Sequence, residues 1–113
     1  MCGIEALKGI IHTYKLIAEN TNRTVVKIDS DTILISKGWL GIVGDGKADM
    51  IGFAPATGLY CKGTCYAISK KGIKAVIDIL ESGSYWENSS RIEDGVITML
   101  CAIGTGKNRV KIL

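Results

Sequence analysis

Residues 24–67 limit the possible folds more than any other part of the chain, because short β-branched or apolar runs alternate there with brief turns. The turns cover residues 29–31, 44–47 and 62–63 and are rich in Asp, Gly, Ser and Lys. Asp-Gly between apolar runs is typical of a β-hairpin. Each turn separates two predicted strands, and the three pairs are 24–29 with 32–37, 39–43 with 48–53, and 59–61 with 64–67. Consecutive hairpins predict an antiparallel sheet.

One segment before these hairpins and one after them have the apolar spacing of amphipathic helices. The first covers residues 4–20, and its apolar face consists of Ile4, Leu7, Ile10, Ile11, Tyr14 and Ile17. The second begins after Ser69, a residue type that caps helix N-termini, and stops at Gly83. Its apolar stripe consists of Ile73, Val76, Ile77 and Leu80. We expect both helices to bury one face against the sheet.

The C-terminal part of the chain predicts a loop followed by one more hairpin. Residues 84–94 form the loop, and residues 96–103 are a continuous apolar run suited to a buried central strand. A turn at residues 104–106 leads into a last strand at 107–113. The order of these elements predicts one α+β domain over residues 1–113, with an antiparallel sheet built from consecutive hairpins and two helices packed on one face.

Size and charge exclude several classes of protein. The 113 residues suit one globular domain, and a net charge of +3 is lower than expected for a dedicated nucleic-acid-binding protein. No apolar run is long enough to span a bilayer, and the N-terminus lacks the pattern of a signal peptide. We therefore expect no membrane association and a cytoplasmic location, which would be the host cytoplasm for a viral protein.

The cysteines are expected to be free thiols, because the cytoplasm is reducing. They are Cys2, Cys61, Cys65 and Cys101. Cys61 and Cys65 have the spacing of half a zinc site, but no second ligand pair accompanies them, so we predict no metal. Residues 41–47 match the spacing of a phosphate-binding P-loop, but Ala48 stands where its magnesium-binding hydroxyl should be. We expect no cofactor.

The start of the second predicted helix carries an unusual charge. Lys70 and Lys71 follow Ser69 in the first turn, where the helix dipole disfavours cations. An anion held between the lysines and the free N–H groups of the helix start would explain this placement. The alternative is two solvated lysines.

A second group of cations lies in the last predicted strand. Lys107, Arg109 and Lys111 alternate there, so they should share one face of the sheet. This row either holds a phosphate or an acidic protein surface, or only protects an edge strand. Tyr85 and Trp86 lie in the longest predicted loop, where aromatic rings suit stacking on a base or anchoring an interface.

Two short segments resemble parts of known enzymes and DNA-binding proteins. Residues 1–4, Met-Cys-Gly-Ile, are similar to the start of class II glutamine amidotransferases, which implies a nucleophilic Cys2 activated by its own α-amine. Residues 66–72 resemble the strand-to-helix junction of winged-helix DNA-binding proteins.

A third segment resembles a viral family. Residues 37–41, Lys-Gly-Trp-Leu-Gly, look like the Lys-Gly-Trp-Asn-Gly stretch of small phage anti-defence proteins and depart from it at Leu40. Some members of that family sequester cyclic ADP-ribose signals of bacterial immunity. The resemblance implies capture of a nucleotide-derived ligand.

The sequence assigns no catalytic residue, because there is one histidine and no visible acid–base or nucleophile–base motif, although such groups can converge from distant positions. The first hypothesis is a non-enzymatic protein that binds a small anionic, nucleotide-derived ligand. The alternatives are a protein-binding inhibitor or structural subunit, a winged-helix-like DNA-binding protein, and an amidohydrolase-like enzyme. A chain of this size has little room for an enclosed pocket, so we expect a homo-oligomer. The predicted ligand-binding residues are Ser69, Lys70, Lys71, Tyr85, Trp86, Lys107, Arg109 and Lys111.

Overall fold

The computed structural model describes residues 4–29, 38–54, 60–61, 65–82 and 93–113. The described helices are α1 (Ile4–Asn20), α2 (Gly41–Gly44), α3 (Lys70–Glu81) and α4 (Glu93–Thr105). The described strands are β1 (Val25–Ile28), β2 (Met50–Gly52), β3 (Cys65–Ile68) and β4 (Val110–Ile112). The described residues also form two 3₁₀ turns, Gly38–Leu40 and Lys107–Arg109. Within these ranges, no helix is both long and apolar enough to cross a membrane.

The strands form one mixed sheet in the order β1-β3-β2-β4. β3 pairs antiparallel with β1 and with β2, whereas β4 pairs parallel with β2. The α+β class is confirmed, but the expectation of a purely antiparallel sheet is wrong at β4. Parallel neighbours need a long crossover, and here β3, α3 and α4 intervene between β2 and β4.

The two faces of the sheet contact different clusters of apolar residues. Met50, Tyr66 and Ile68 belong to the larger cluster, which includes buried residues of α1, α3 and α4. Ile51 and Ala67 alternate with them along the strands and belong to a smaller cluster with residues near α2. The two helices predicted from the sequence, α1 and α3, both contribute to the larger cluster. Among the described residues, α4 joins them there and α2 belongs to the smaller cluster, so the prediction of two helices is incomplete.

The predicted strand at 96–103 is wrong, because these residues belong to α4. A short continuous apolar run fits a buried strand and a buried helix equally well. Contacts decide between them: Ile97, Leu100 and Cys101 are fully buried in the larger cluster on one side of α4. The spacing of these three residues is helical.

The predicted strand at 39–43 is also wrong, and with it the hairpin across residues 44–47. Residues 38–44 form a 3₁₀ turn followed by α2. Trp39, Ile42 and Val43 are spaced by three and four, and all three pack in the smaller cluster. The second half of that hairpin is confirmed as strand at Met50–Gly52.

The first and third predicted hairpins are covered only in part. β1 confirms a strand within 24–29, and β3 covers most of the predicted strand at 64–67 and continues to Ile68. The predicted strand at 59–61 is wrong in its described part, because Tyr60 and Cys61 belong to no strand. Residues 32–37 and 62–64 lie outside the described ranges. β1 pairs with β3 in antiparallel register, with Val25 opposite Ile68. β1 and β3 are therefore neighbours in the described sheet, although they are far apart in the sequence.

The two predicted helices are confirmed. α1 covers Ile4–Asn20, as its apolar spacing indicates, and Ile11 and Tyr14 are buried. α3 begins after Ser69 and buries the whole predicted stripe. These buried residues are Ile73, Val76, Ile77 and Leu80. Gly83 lies outside the described residues.

Candidate functional site

Ser69 and Asp49 organise the start of α3. Ser69 is the N-cap: its Oγ accepts a hydrogen bond from Gly72 N at 3.0 Å and donates one to Asp49 Oδ1 at 2.8 Å. The main chain repeats the connection, because Ser69 N donates to Asp49 O at 2.8 Å. Asp49, immediately before β2, is only 4% exposed. A buried carboxylate of the chain itself therefore lies at the helix N-terminus.

Arg109 approaches the same carboxylate from the other side. Its Nε donates to Asp49 Oδ2 at 2.9 Å, and its Nη2 donates to Gly46 O at 2.8 Å. Burial raises the pKa of Asp49, but hydrogen bonds from Arg109 and Ser69 and the charges of Arg109 and Lys71 outweigh it and hold the pKa below its usual value. Asp49 is ionised at neutral pH.

The sequence predicted an anion between Ser69 and the cations near it, and Asp49 occupies that position. The structure brings Ser69 and Arg109 together, with Lys71 close enough for its charge to act on Asp49. A free phosphate at this helix end would lie beside the Asp49 charge, which repels it.

The predicted cationic row does not form. Lys107 and Arg109 lie in a 3₁₀ turn, and only Lys111 belongs to a strand. Arg109 turns toward Asp49, while Lys107 and Lys111 are exposed. The period-two argument fails because strand geometry begins only at Val110.

Other residues named from the sequence lie apart from this network or outside the described residues. Tyr85 and Trp86 are outside the described residues, as are Cys2 and Lys37. Trp39, from the segment that resembles the phage family, packs edge-on against Phe53 with ring centroids 4.9 Å apart. The described part of that segment therefore lies against the smaller cluster.

Lys70 leads to a second feature, a groove between α1 and α3. The two helices run antiparallel: Lys15 of α1 forms an ion pair with Glu81 at the end of α3, and Lys70 Nζ donates to Asn22 Oδ1 at 2.7 Å just after α1. An open groove of about 270 Å³ lies between them. Its lining residues are Lys15, Ala18, Glu19, Lys70, Lys74, Ile77 and Asp78.

The groove combines an apolar floor with charged walls. Ala18 and Ile77 also contribute to the larger core cluster, so they supply the apolar part of the lining. Three lysines and two carboxylates form the rest. The net formal charge of this lining is therefore positive by one (three minus two).

The lysines on α3 are placed where the helix alone does not favour them. Lys70 and Lys74 are four residues apart, so they lie on the same side of the helix and repel each other. The first turn of α3 contains no acidic residue to offset them. Among the described residues, Lys74 forms no hydrogen bond or ion pair. Asp78, four residues after Lys74 on the same side of α3, offsets part of the repulsion between the lysines, and an anion in the groove would offset more of it.

Sequence reasoning named Lys70 but missed Lys15, Lys74 and Asp49. The spacing of Lys70 and Lys74 was a usable signal, because residues four apart share a helix face. Asp49 was signalled by its position between Ala48 and Met50, since a charged residue inside an apolar strand needs a partner. Lys15 had no local signal, because its place in the groove depends on how α1 packs against α3.

The described residues do not assemble an obvious catalytic centre. Within them, no group of three or more His, Cys, Asp or Glu side chains could hold a metal ion. Cys61, Cys65 and Cys101 are buried, and none of these three described thiols forms a disulfide. Burial raises the pKa of Cys101 to about 11, with a smaller contribution from the charge of Asp49, and its contact with Thr105 only partly offsets the rise. Cys101 is thus a protonated thiol, a poor nucleophile.

No protein-family model, curated protein or solved structure matches this chain.

Proposed function

We propose that this protein is a non-enzymatic binding module that captures a small anionic, nucleotide-derived ligand in the groove between α1 and α3. The observation that carries the proposal is the convergence of Lys15, Lys70 and Lys74 from two helices on one groove. Ammonium groups are good partners for phosphate oxygens, and charge-assisted hydrogen bonds are the stronger ones.

The apolar part of the lining supports a ligand that carries a base or a ribose in addition to a phosphate. Ala18 and the small exposed part of Ile77 add carbon atoms to the charged lining, which supports contact with a ribose or a base as well as a phosphate. A volume of about 270 Å³ is close to the lower end of ligand sites, roughly 300 Å³, and this supports a small molecule rather than a polymer. Cyclic ADP-ribose-type signals, implied by the resemblance at residues 37–41, belong in this ligand class.

Calorimetric titration tests the proposal. A panel of mononucleotides, cyclic nucleotides, ADP-ribose and cyclic ADP-ribose is titrated into the wild type and Lys74→Glu at low and high salt. Loss of a charge-assisted hydrogen bond should weaken binding by about tenfold to a hundredfold, and salt should weaken the wild type. Lys107→Glu is the matched control, because it makes the same charge change at an exposed residue away from the groove.

Two results would count against the groove. If no member of the panel binds the wild type at submillimolar concentration, the ligand-capture proposal fails. If binding occurs but Lys74→Glu and Lys107→Glu weaken it equally, the ligand responds to overall charge and the groove is not its site.

A protein-binding role is the second candidate. β1 lies at one edge of the described sheet, and its Val26 and Ile28 are 40% and 42% exposed. Exposed apolar side chains on an edge strand suit an interface with another protein. This role would be favoured if the wild type bound no nucleotide of the panel but co-eluted with a defined protein partner.

A further inference from the structure

Two carboxylates lie in the groove between α1 and α3, and a phosphate alone does not explain them. Glu19 and Asp78 line the groove together with its three lysines, and both residues are exposed. Among the residues that the structure describes, neither side chain forms a hydrogen bond or an ion pair. Each carboxylate repels a phosphate held nearby. A ligand that suits the whole lining therefore carries hydrogen-bond donors as well as an anionic group.

The partners of the three lysines indicate which end of the groove holds the anionic group. Lys15 forms an ion pair with Glu81, which already balances its charge. Lys70 Nζ donates to the neutral amide of Asn22, and Lys74 has no partner in the described parts of the chain. Lys70 and Lys74 share one side of α3, so a phosphate can accept charge-assisted hydrogen bonds from both.

Asp78 comes next along the same side of α3. It follows Lys74 by four positions, which corresponds to a rise of about 6 Å along the helix. In a nucleoside 5′-phosphate the ribose is attached directly to the phosphate, so its hydroxyls lie within this reach. Glu19 is on the opposite wall, and because α1 and α3 run antiparallel it lies toward the Lys70 end. Asp78 is therefore the carboxylate placed to meet the sugar.

We infer that Asp78 determines specificity in the groove by accepting hydrogen bonds from the 2′- and 3′-hydroxyls of a ribonucleotide whose phosphate lies on Lys70 and Lys74. This inference rests on the proposed function, and it narrows the ligand class from nucleotides in general to those with an intact ribose. A carboxylate offers two acceptor oxygens and no donor, so it suits a pair of adjacent hydroxyls, both of which can donate. Dinucleotide-binding folds use an acidic side chain on the ribose in the same way.

Binding of ribonucleotides and of their 2′-deoxy counterparts tests the inference. The 5′-mono- and diphosphates of adenosine, guanosine, cytidine and uridine, and the matching 2′-deoxy compounds, are titrated calorimetrically into the wild type, Asp78→Ala and Glu19→Ala. The wild type should prefer a ribonucleotide over its 2′-deoxy counterpart by about threefold to tenfold, a modest ratio because Asp78 is exposed to water. Asp78→Ala should bring this ratio close to one.

Glu19→Ala is the matched control, because it removes the same charge from the same groove. The lost repulsion acts on the phosphate, which both members of a pair carry, so their affinities should change equally. The ratio in Glu19→Ala should therefore equal that of the wild type. Both substitutions are at exposed helical positions, where alanine is favourable, and far-ultraviolet circular dichroism establishes that each variant is folded.

The outcomes separate this inference from the proposed function. Equal affinities within every pair, in a wild type whose binding Lys74→Glu still weakens, would overturn the role of Asp78 and leave ligand capture in the groove intact. A preference for ribose that persists in Asp78→Ala, or that Glu19→Ala also removes, would overturn the assignment to Asp78. If the wild type binds no member of any pair at submillimolar concentration, the inference fails, and the proposed function fails with it if the other nucleotides of the panel do not bind either.

Discussion

Arg109 and Asp49 are joined twice, once through their side chains and once through the main chain. Arg109 Nε donates to Asp49 Oδ2 at 2.9 Å, and Asp49 N donates to Arg109 O at 2.7 Å. Because Asp49 also accepts from Ser69 Oγ, one carboxylate links the approach to β4, the start of β2 and the N-cap of α3. The parallel pairing of β2 with β4 begins at this junction, where Met50 is opposite Val110.

Removing the guanidinium should destabilise the fold. Arg109→Met leaves the buried Asp49 carboxylate with one hydrogen-bond partner fewer, which should cost about 1.5–3 kcal/mol of unfolding free energy. Urea denaturation measures the change as a lower midpoint at an unchanged slope. Lys107→Met, at an exposed neighbour, should change stability by less than about 0.5 kcal/mol. Similar losses in both variants would contradict the structural role of the pair.

The same pair predicts how stability depends on acid. Hydrogen bonds and nearby cations more than offset burial, so the pKa of Asp49 is lower in the folded state than in the unfolded state. Its stabilising contribution is complete above the unfolded pKa, about 3.9, and is lost as the pH falls through the lower folded value. Denaturation of the wild type and Asp49→Asn at a series of pH values checks this. The stability difference between them should shrink below about pH 4; a constant difference would argue against an ionised Asp49.

A side chain at Gly72 should disrupt the start of α3. A Cβ there would lie 2.9 Å from Ile68 Cγ1, 3.0 Å from Asp49 O and 3.1 Å from Cys101 Sγ, and the Asp49 oxygen is main chain that cannot swing away. Gly72→Ala should therefore cost about 1–3 kcal/mol through overpacking. Gly9→Ala is the control, because nothing lies within 4 Å of its Cβ and helix propensity should make it stabilising. Thermal melts of both variants show whether each substitution lowers or raises the melting temperature.

The buried thiols should react only when the protein opens. Burial raises the pKa of Cys101 to about 11, so almost none of it is thiolate at neutral pH, and Cys61 and Cys65 are also buried. Because the thiolate is the reactive form, alkylation in native buffer should be much slower than in denaturant. Peptide mapping by mass spectrometry measures each cysteine separately. Rapid native labelling of Cys101 would show that the packing around it opens readily.

The sequence by itself determined α1 and α3. Both helices carry their signals locally: apolar residues at intervals of three and four, and at α3 the Ser69 side chain that accepts from Gly72 N. These signals act within one or two helical turns, so no distant part of the chain is needed to interpret them. The strand propensities of β1, β2 and β3 were equally local: β1 and β2 lie within predicted runs, and β3 extends one residue beyond its run, to Ile68.

Only the tertiary structure decided the direction of β4, the helical state of residues 96–103 and the partner of Arg109. A continuous apolar run is compatible with strand or helix, and packing against α3 and the sheet selects the helix. The side chain of Arg109 turns to Asp49 because a buried carboxylate needs a cation, and their separation of 60 positions in the chain hides that need from any local pattern. The groove has the same origin. Lys15 and Lys74 come from helices distant in sequence, and the antiparallel packing of α1 on α3 brings them together.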